Sequence, residues 1–318
     1  VIKVKKIAFF TGSCQSLPAI QYLLQSNLLG CVVLVEGEPN PDLIQLQHWL
    51  QQQGITTLSY VKAQDETLIA QLDRLAINCG LIYLFRHKIR APLIQYFNGE
   101  LMNIHPSPLP EYRGPQPLYW QLRNGETLTK LTLHRVTEEL DCGDIALDVD
   151  IEIHPFDTIQ CLYQKTNQAL PYLVSQFFQL SEQSKLQWRQ QEQKNVKPAP
   201  ALQQFDLFIN WYKHSARDIV NMARAGNFDS LCALFQFHEG TFQLLQATKV
   251  DSTLKGVSPG TVVELDKKQG LIIKTYDGAV KLDFIGTSQG GFDGYRFALL
   301  FALEPGQILE NMSCINDA

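Results

Sequence analysis

What the sequence lacks is informative. No apolar run in its 318 residues reaches the ~18 expected of a membrane span, so no membrane partner is expected. Its seven cysteines, at 14, 31, 79, 142, 161, 232 and 314, are an odd number and form no Cys-x-x-Cys pair. That argues against a disulfide frame and a cysteine zinc site, and it fits reduced thiols in a cytoplasmic protein. No Gly-x-Gly-x-x-Gly follows the first apolar segment, so the dinucleotide fingerprint is missing. Positive charge is also scarce. The 27 Lys and Arg face 32 Asp and Glu, a net −5, which gives no general reason to expect a polyanionic partner. Internal repeats and low-complexity tracts are absent.

What remains is the composition of a soluble globular chain, 45% apolar and 19% charged. The length suits two domains. Residues 1–10 are too short for a signal peptide and read as a first buried strand, although the chain begins at Val1. Apolar runs at 4–10, 31–35, 54–59 and 79–85 alternate with helical spacing at 17–29, 41–53 and 68–75. Alternating strands and helices predict a parallel sheet with helices on both faces. In open sheets of that kind, ligands bind at the carboxyl ends of the strands.

Residues 183–204 are polar, rich in Gln, Glu and Lys, and finish near Lys197-Pro-Ala-Pro200. They read as a linker between a first domain at 1–182 and a second at 205–312, with a tail at 313–318. The second region opens with a helical segment at 215–225. Strand-like runs follow at 232–237, 241–246, 260–265, 271–276 and 280–285, with turn signals at Glu239-Gly240, Gln269-Gly270 and Asp277-Gly278. Five short strands at this spacing predict a small antiparallel barrel.

Candidate chemistry starts at Asn103-Ile-His105-Pro-Ser-Pro-Leu-Pro110. Positions i and i+2 of a strand share a face, so Asn103 and His105 project together where the prolines turn the chain away. An amide beside an imidazole suits acyl transfer, one group binding an oxyanion and the other moving a proton. Asp141, 36 residues after His105, lies in a turn-like setting and could orient the imidazole. Taken singly, an Asn-x-His pair is a weak signal, and an isolated Asp141 is more often a turn residue. His134, in an apparent strand, reads as a packed or substrate-lining histidine. The spacing of His105, His134, Asp141 and Asp144 matches no metal-ligand pattern, so no metal is expected. The Gly12-Ser13-Cys14 turn after the first strand could offer backbone N–H groups to an anion.

Taken together, these motifs resemble the folate-dependent formyltransferases. The likeness rests on Asn103 to Pro110, Tyr112-Arg113-Gly114, and His134-Arg-Val-Thr-Glu-Glu-Leu-Asp141-Cys-Gly-Asp144. Asp150 to Thr158 and Leu162-Tyr163 add to it. It covers residues 1–180 well. A looser likeness to the C-terminal barrel of the methionyl-tRNA enzymes covers 205–312, carried by Ile209-Asn-Trp211, Ala223-Arg-Ala225 and Pro259-Gly-Thr-Val-Val263. The resemblance implies an α/β catalytic domain with a Rossmann-like, mostly parallel sheet, then a small OB-like β-barrel.

It also implies a reaction and a site. The donor would be 10-formyltetrahydrofolate and the acceptor a primary amine. Asn103 would donate to the tetrahedral oxyanion, His105 would donate or shuttle a proton, and Asp141 would hold His105 in its working tautomer. The pterin pocket would be walled by Phe85, Arg86, His87, Lys88 and Ile89 on one side. Val136, Thr137, Glu138, Glu139 and Leu140 would form the other. The basic stretch at 86–88 departs from the family. It reads either as a solvated edge or as a contact for the folate glutamate tail or an anionic acceptor. Gly12, Ser13, Cys14, Arg113, Gly114 and His134 are the expected acceptor contacts.

The methionyl-tRNA enzymes carry a basic insertion after the second strand. Here residues 35–42 read Val-Glu-Gly-Glu-Pro-Asn-Pro-Asp, which is short and acidic. Residues 201–318 hold 10 Lys and Arg against 13 Asp and Glu. Phosphate binding needs clustered cations. A small-molecule or carrier-bound amine, such as a nucleotide-linked amino sugar, is therefore the expected acceptor, ahead of methionyl-tRNA. Formyl-folate hydrolysis ranks lower, because the regulatory domain that precedes the catalytic unit of the free-standing hydrolases is not in this sequence. A non-catalytic folate-binding protein is the alternative from outside enzymology.

Overall fold

The computed structural model describes residues 6–35, 41–192, 194, 196–227, 231–251 and 255–311. The chain divides into two compact units. The first comprises Val1–Pro117, Leu128–Glu152 and Tyr163–Pro200; the second comprises Leu118–Thr127, Ile153–Leu162 and Ala201–Ala318.

The first unit is built on a seven-stranded sheet. Its strands are β1 (Ile7–Thr11), β2 (Leu29–Val35), β3 (Thr57–Tyr60), β4 (Cys79–Ile82), β5 (Leu101–His105), β6 (Leu128–Arg135) and β7 (Ile145–Glu152). The spatial order is β3-β2-β1-β4-β5-β6-β7. The first five run parallel, while β6 and β7 are antiparallel additions at the β5 edge. The crossovers between them are supplied by α1 (Leu17–Gln25), α2 (Pro41–Gln52), α3 (Asp65–Arg74) and α4 (Ala91–Phe97).

Strand alternation explains the two cores. Ile7 and Phe9 face one cluster with Met102, Ile104, Leu131, Leu133 and Leu170. Ala8 and Phe10 face the other with Leu68, Leu72, Leu93 and Phe97. A sheet buried on both faces is a near-continuous apolar run, which is why β1, β2 and β4 stood out in the sequence. The strand order turns at β1, between β2 and β4. That is the switch point, and it puts the loops after β1, β4 and β5 at one carboxyl edge.

Of the segment 183–204 read from sequence as a linker, residues 183–192 and 196–200 pair with the first unit. Arg189 and Ile145 exchange backbone hydrogen bonds of 2.9 and 2.8 Å, and Tyr112 N–H donates to the Lys197 carbonyl at 2.6 Å. Ala199 N–H donates to the Arg113 carbonyl at 2.7 Å. Such backbone pairs account for groups that a polar composition assigns to solvent.

The second unit carries α5, of which Leu118 onward belongs here (Pro117–Arg123), and α8 (Ala216–Gly226). The intervening α6 (Ile159–Glu182) starts in it and continues into the first, and α7 (Gln204–Leu207) is short. A capping box starts α8: Ser215 Oγ accepts from Asp218 N–H at 3.0 Å, and Asp218 Oδ2 accepts from Ser215 N–H at 2.8 Å. The sheet is antiparallel, ordered β10-β11-β12-β9-β8, with β13 on β12. Here β8 is Ala233–Phe237, β9 Gly240–Val250, β10 Val262–Asp266, β11 Gly270–Lys274, β12 Ala279–Thr287 and β13 Gly290–Phe292. The last helix, α9, is Gly294–Leu300. Both edges of the sheet bridge to one terminal segment, Thr261 to Ile308 and Gln236 to Glu310. That segment closes the curl around a core of Trp211, Phe235, Phe242, Ile273 and Phe297.

Candidate active site

The site begins with β5. Leu101, Asn103 and His105 lie on one face of the strand, and Met102 and Ile104 fill the core on the other. The chain then folds back on itself. Ser107 N–H donates to the His105 carbonyl at 2.9 Å, and Ser107's own carbonyl accepts from Thr132 Oγ1 at 2.6 Å. The return places the Tyr112 carbonyl 2.8 Å from His105 Nε2. A carbonyl only accepts, so this ring nitrogen carries the proton. Tyr112 reaches that position with φ +61°, in the left-handed region.

Asp141 arrives from the loop after β6, also left-handed at φ +55°. Its Oδ2 accepts from Gly114 N–H at 3.0 Å and lies 3.7 Å from His105 Nδ1. Its Oδ1 accepts from Asn103 Nδ2 at 3.3 Å. Asn103 Nδ2 also lies 3.1 Å from His134 Nε2, and His134 Nδ1 lies 2.8 Å from the Arg135 carbonyl. The cluster is dry: His105, His134 and Asp141 are 5%, 2% and 7% exposed.

Burial sets the protonation of this group. It drives His105 below the ordinary histidine value, against the pull of the Asp141 carboxylate and the Tyr112 carbonyl. Burial pushes the Asp141 carboxyl up. The His105 charge, the neighbouring His134 and the Gly114 N–H outweigh that push and hold it at about 2. At neutral pH the centre is therefore a carboxylate facing a neutral imidazole. A proton taken at Nδ1 of His105 would sit between that ring and Asp141.

Two glycines make the approach possible. Gly114 has φ +122°, and a Cβ there would meet the Ala199 carbonyl oxygen at 2.5 Å. A Cβ on Gly143 would meet the Arg135 carbonyl oxygen at 2.0 Å. Any larger residue would push the Asp141 loop off β6.

Gln191 is a residue that sequence reading missed. It sits in the supposed linker and is 5% exposed. Its Nε2 donates to the carbonyls of Asp141 and Gly143 at 2.8 and 2.7 Å. Its Oε1 accepts from Arg113 Nε and Nη2 at 3.1 and 2.6 Å. One side chain thus ties the Asp141 loop to the segment after the proline run. No sequence signal separates it from the four other glutamines at 183–193 and their polar company.

The residues expected to contact an acceptor are otherwise engaged. Gly12 N–H goes to the Leu84 carbonyl at 3.0 Å, Ser13 N–H to Thr11 Oγ1 at 3.3 Å, and Cys14 N–H to Asp42 Oδ1 at 3.2 Å. The Cys14 thiol also donates to that carboxylate, and burial followed by this contact pushes it up to about 11. The Asp42 carboxylate therefore occupies the Cys14 end of that turn. Arg113 is held by Gln191, Gly114 by Asp141, and His134 by Asn103. Asn103 Nδ2 lies within reach of both His134 Nε2 and Asp141 Oδ1.

The loop after β4 borders a cleft of about 490 Å³. Of the expected cofactor residues, Arg86, His87, Lys88, Ile89 and Glu138 line it, joined by Tyr60, Lys62, Arg90 and Ala91. Phe85 points into the core instead, edge-on to Phe10 and Tyr60 at 5.7 and 5.3 Å. Val136 packs on the same core, and Leu140 is half-exposed. Thr137 Oγ1 donates to the Glu139 carbonyl at 2.7 Å, which shapes the turn rather than the cleft. Arg90 is paired with Asp65 at 2.9 Å. Residues 36–40, most of the acidic segment noted in the sequence, lie outside the described residues; Pro41 and Asp42 open α2. Among the described residues no group of three His, Cys, Asp or Glu could hold a metal ion. No helix among them is long and apolar enough to cross a membrane.

Comparison with known proteins agrees with this geometry. A family model described as formyl transferase matches residues 5–176, and one described as formyl transferase, C-terminal domain, matches 201–290. Methionyl-tRNA formyltransferase of Pseudothermotoga lettingae is 32% identical over 213 residues, which span 67% of this chain and 68% of that one. Across eight such relatives the matched part spans 57–76% of their lengths. An N-formyltransferase from Helicobacter canadensis, solved with folinic acid and dTDP-3-aminofucose, shares the fold. Its TM-score is 0.65 at 18% identity, over 87% of this chain and 98% of that one. HypX from Aquifex aeolicus, solved with tetrahydrofolic acid, matches with TM-score 0.58 at 17% identity, over 96% of this chain and 50% of that one. The chain belongs to the formyl transferase family of enzymes.

Proposed function

We propose that this chain moves a formyl group from 10-formyltetrahydrofolate to a primary amine at Asn103, His105 and Asp141. One observation carries the reading. A dry carboxylate, gripped by the Gly114 N–H and the Asn103 amide, faces the unprotonated nitrogen of a buried histidine at 3.7 Å. An amine attacking an acyl carbon must shed a proton. Asp141, at about 2, is too weak a base to take it near neutral pH. The neutral His105 can take it, and Asp141 then stabilises the imidazolium.

The cleft after β4 suits the folate. Tyr60, His87 and Ile89 offer flat and apolar surface for a ring. Arg86, Lys88 and Lys62 form no ion pair among the described residues and suit the carboxylates of a glutamate tail. When bound, the formyl-folate supplies an activated one-carbon acyl group.

For the acceptor, the named relatives support methionyl-tRNA, which reverses the order suggested by charge alone. A nucleotide-linked amino sugar is the second reading. The Helicobacter structure with dTDP-3-aminofucose supports it, at an identity that speaks for the fold only. Incubating the protein and 10-formyltetrahydrofolate with each acceptor, and weighing the products, separates the two. Formyl-methionine on tRNA supports the first and a mass gain on the sugar nucleotide the second. Failure with both and with a wider amine panel counts against amine formylation.

A further inference from the structure

We propose that Gln191 is a positioning residue of the formyl-transfer centre: it joins the turn that carries Asp141 to the turn that holds His105, and so sets the separation of those two side chains. The chemistry rests on the formyl-transfer reading above; the hydrogen bonds that join the turns do not.

The side chain is delivered by a segment that lies outside the helices and strands. Leu186 and Trp188 pack on the first core, and the Arg135 guanidinium lies over the Trp188 ring at 3.9 Å. Arg189 exchanges both backbone hydrogen bonds with Ile145, the first residue of β7. Gln191 follows two residues later and reaches the loop between β6 and β7.

Its contacts fix which end of the amide is which. Arg113 Nε and Nη2 only donate, at 3.1 and 2.6 Å, so the atom they meet is the oxygen. The carbonyls of Asp141 and Gly143 only accept, at 2.8 and 2.7 Å, so the atom they meet is the NH2 group. A flipped amide would fail at all four contacts. Gln191 is 5% exposed, so water does not readily take over any of them.

Both ends of the amide bear on the catalytic pair. The two carbonyls bracket Cys142 and close the turn that carries Asp141 at φ +55°. Arg113 stands between two residues that touch the pair directly. The Tyr112 carbonyl lies 2.8 Å from His105 Nε2, and Gly114 N–H donates to Asp141 Oδ2 at 3.0 Å. His105 Nδ1 and Asp141 Oδ2 then stand 3.7 Å apart. Besides Asp141, His105 faces the Tyr112 carbonyl and, at 6.4 Å between ring centres, His134.

A pair at this spacing responds to small movements. At an effective dielectric of 20, a drift of ~1 Å weakens the hold of Asp141 on a protonated His105 roughly fivefold, which lowers the pH at which His105 titrates by about 0.7. Gln191→Met keeps the length of the side chain and removes all four contacts; Gln191→Ala removes the side chain too. In the full-length protein both should lower kcat about fivefold or more, with the KM values for 10-formyltetrahydrofolate and for methionyl-tRNA or a dTDP-linked amino sugar held within about twofold.

Nitrogen-15 NMR of the labelled full-length protein follows His105 without turnover. It should titrate at lower pH in both variants than in the parent. Leu46→Ala, a cavity in the same core under α2, is the comparison: it should lower the melting temperature and leave kcat and the His105 titration as in the parent. A merely structural Gln191 would behave like Leu46. A Gln191→Met protein with kcat within about twofold of the parent, a loss confined to KM, or a His105 titration that stays in place or rises overturns the proposal. If neither acceptor is formylated, the formyl-transfer reading fails, and the titration decides by itself whether Gln191 sets the pair.

Discussion

Asp141→Asn removes one charge and leaves the shape of the side chain nearly unchanged. In the native site Asp141 Oδ2 lies 3.7 Å from His105 Nδ1. At an effective dielectric of 20, two unit charges at that distance attract by about 4 kcal/mol. That is the stabilisation available to an imidazolium formed as the amine loses its proton, and it corresponds to roughly 10³ in rate. The substitution has a second cost. Asp141 accepts from Gly114 N–H and from Asn103 Nδ2 on different oxygens. An asparagine amide can face only one of them with oxygen, so its NH2 would meet a donor at the other, at a cost of about 1–3 kcal/mol. Asparagine tolerates φ +55° as well as aspartate does, so the backbone adds little. The expected result is a folded protein with a lower melting temperature and kcat down about a thousandfold, measured as tetrahydrofolate release. A variant within tenfold of the parent would refute the claim that the carboxylate supports a charged His105.

The pH dependence of stability follows from the same carboxylate. Its folded value of about 2 lies below the ordinary 3.8, so its contribution of about 2 kcal/mol is present above pH ~4 and is lost as pH falls toward 2. Acid titration of the melting temperature should show a smaller loss over that window in Asp141→Asn. In the second unit, burial and the adjacent Arg123 hold His214 at about 4, below its ordinary 6.5. The folded unit therefore resists protonation there and loses stability as pH falls from about 6.5 to 4. His214→Gln should flatten that slope in a melting series, and an unchanged slope would contradict the assignment. Gln191→Ala strips buried carbonyls at Asp141 and Gly143 of their donor, and should cost about 3 kcal/mol in chemical denaturation together with a fall in turnover. Gly143→Ala forces a Cβ against the Arg135 carbonyl oxygen and should destabilise by about 1–3 kcal/mol in the same experiment.

The strands, and the pairing of Asn103 with His105 on one of them, were legible because they depend on local rules. Period two puts Asn103 and His105 on one face, and the prolines mark where β5 ends. The five runs in the second unit reappear as β8 to β12, since their Gly-containing turns are fixed by neighbouring residues. The short β13 and α9 carried no such pattern. Long-range partners were the other hidden part. Asp42 reaches Cys14 across 28 residues and fills the turn read as an anion site. Gln191 reaches Asp141 across 50, from a stretch whose composition resembles a linker. Phe85 sits beside cleft residues in sequence, yet its ring joins Phe10 and Tyr60 in the core.

The central claim is that the Asn103–His105–Asp141 centre passes a formyl group to an amine. It is tested most directly by measuring tetrahydrofolate release from 10-formyltetrahydrofolate by the purified chain, with and without an amine acceptor. The account predicts release that depends on the amine, one formylated acceptor per tetrahydrofolate, and loss of both in His105→Ala. Equal release with no amine present would make water the acceptor and contradict it.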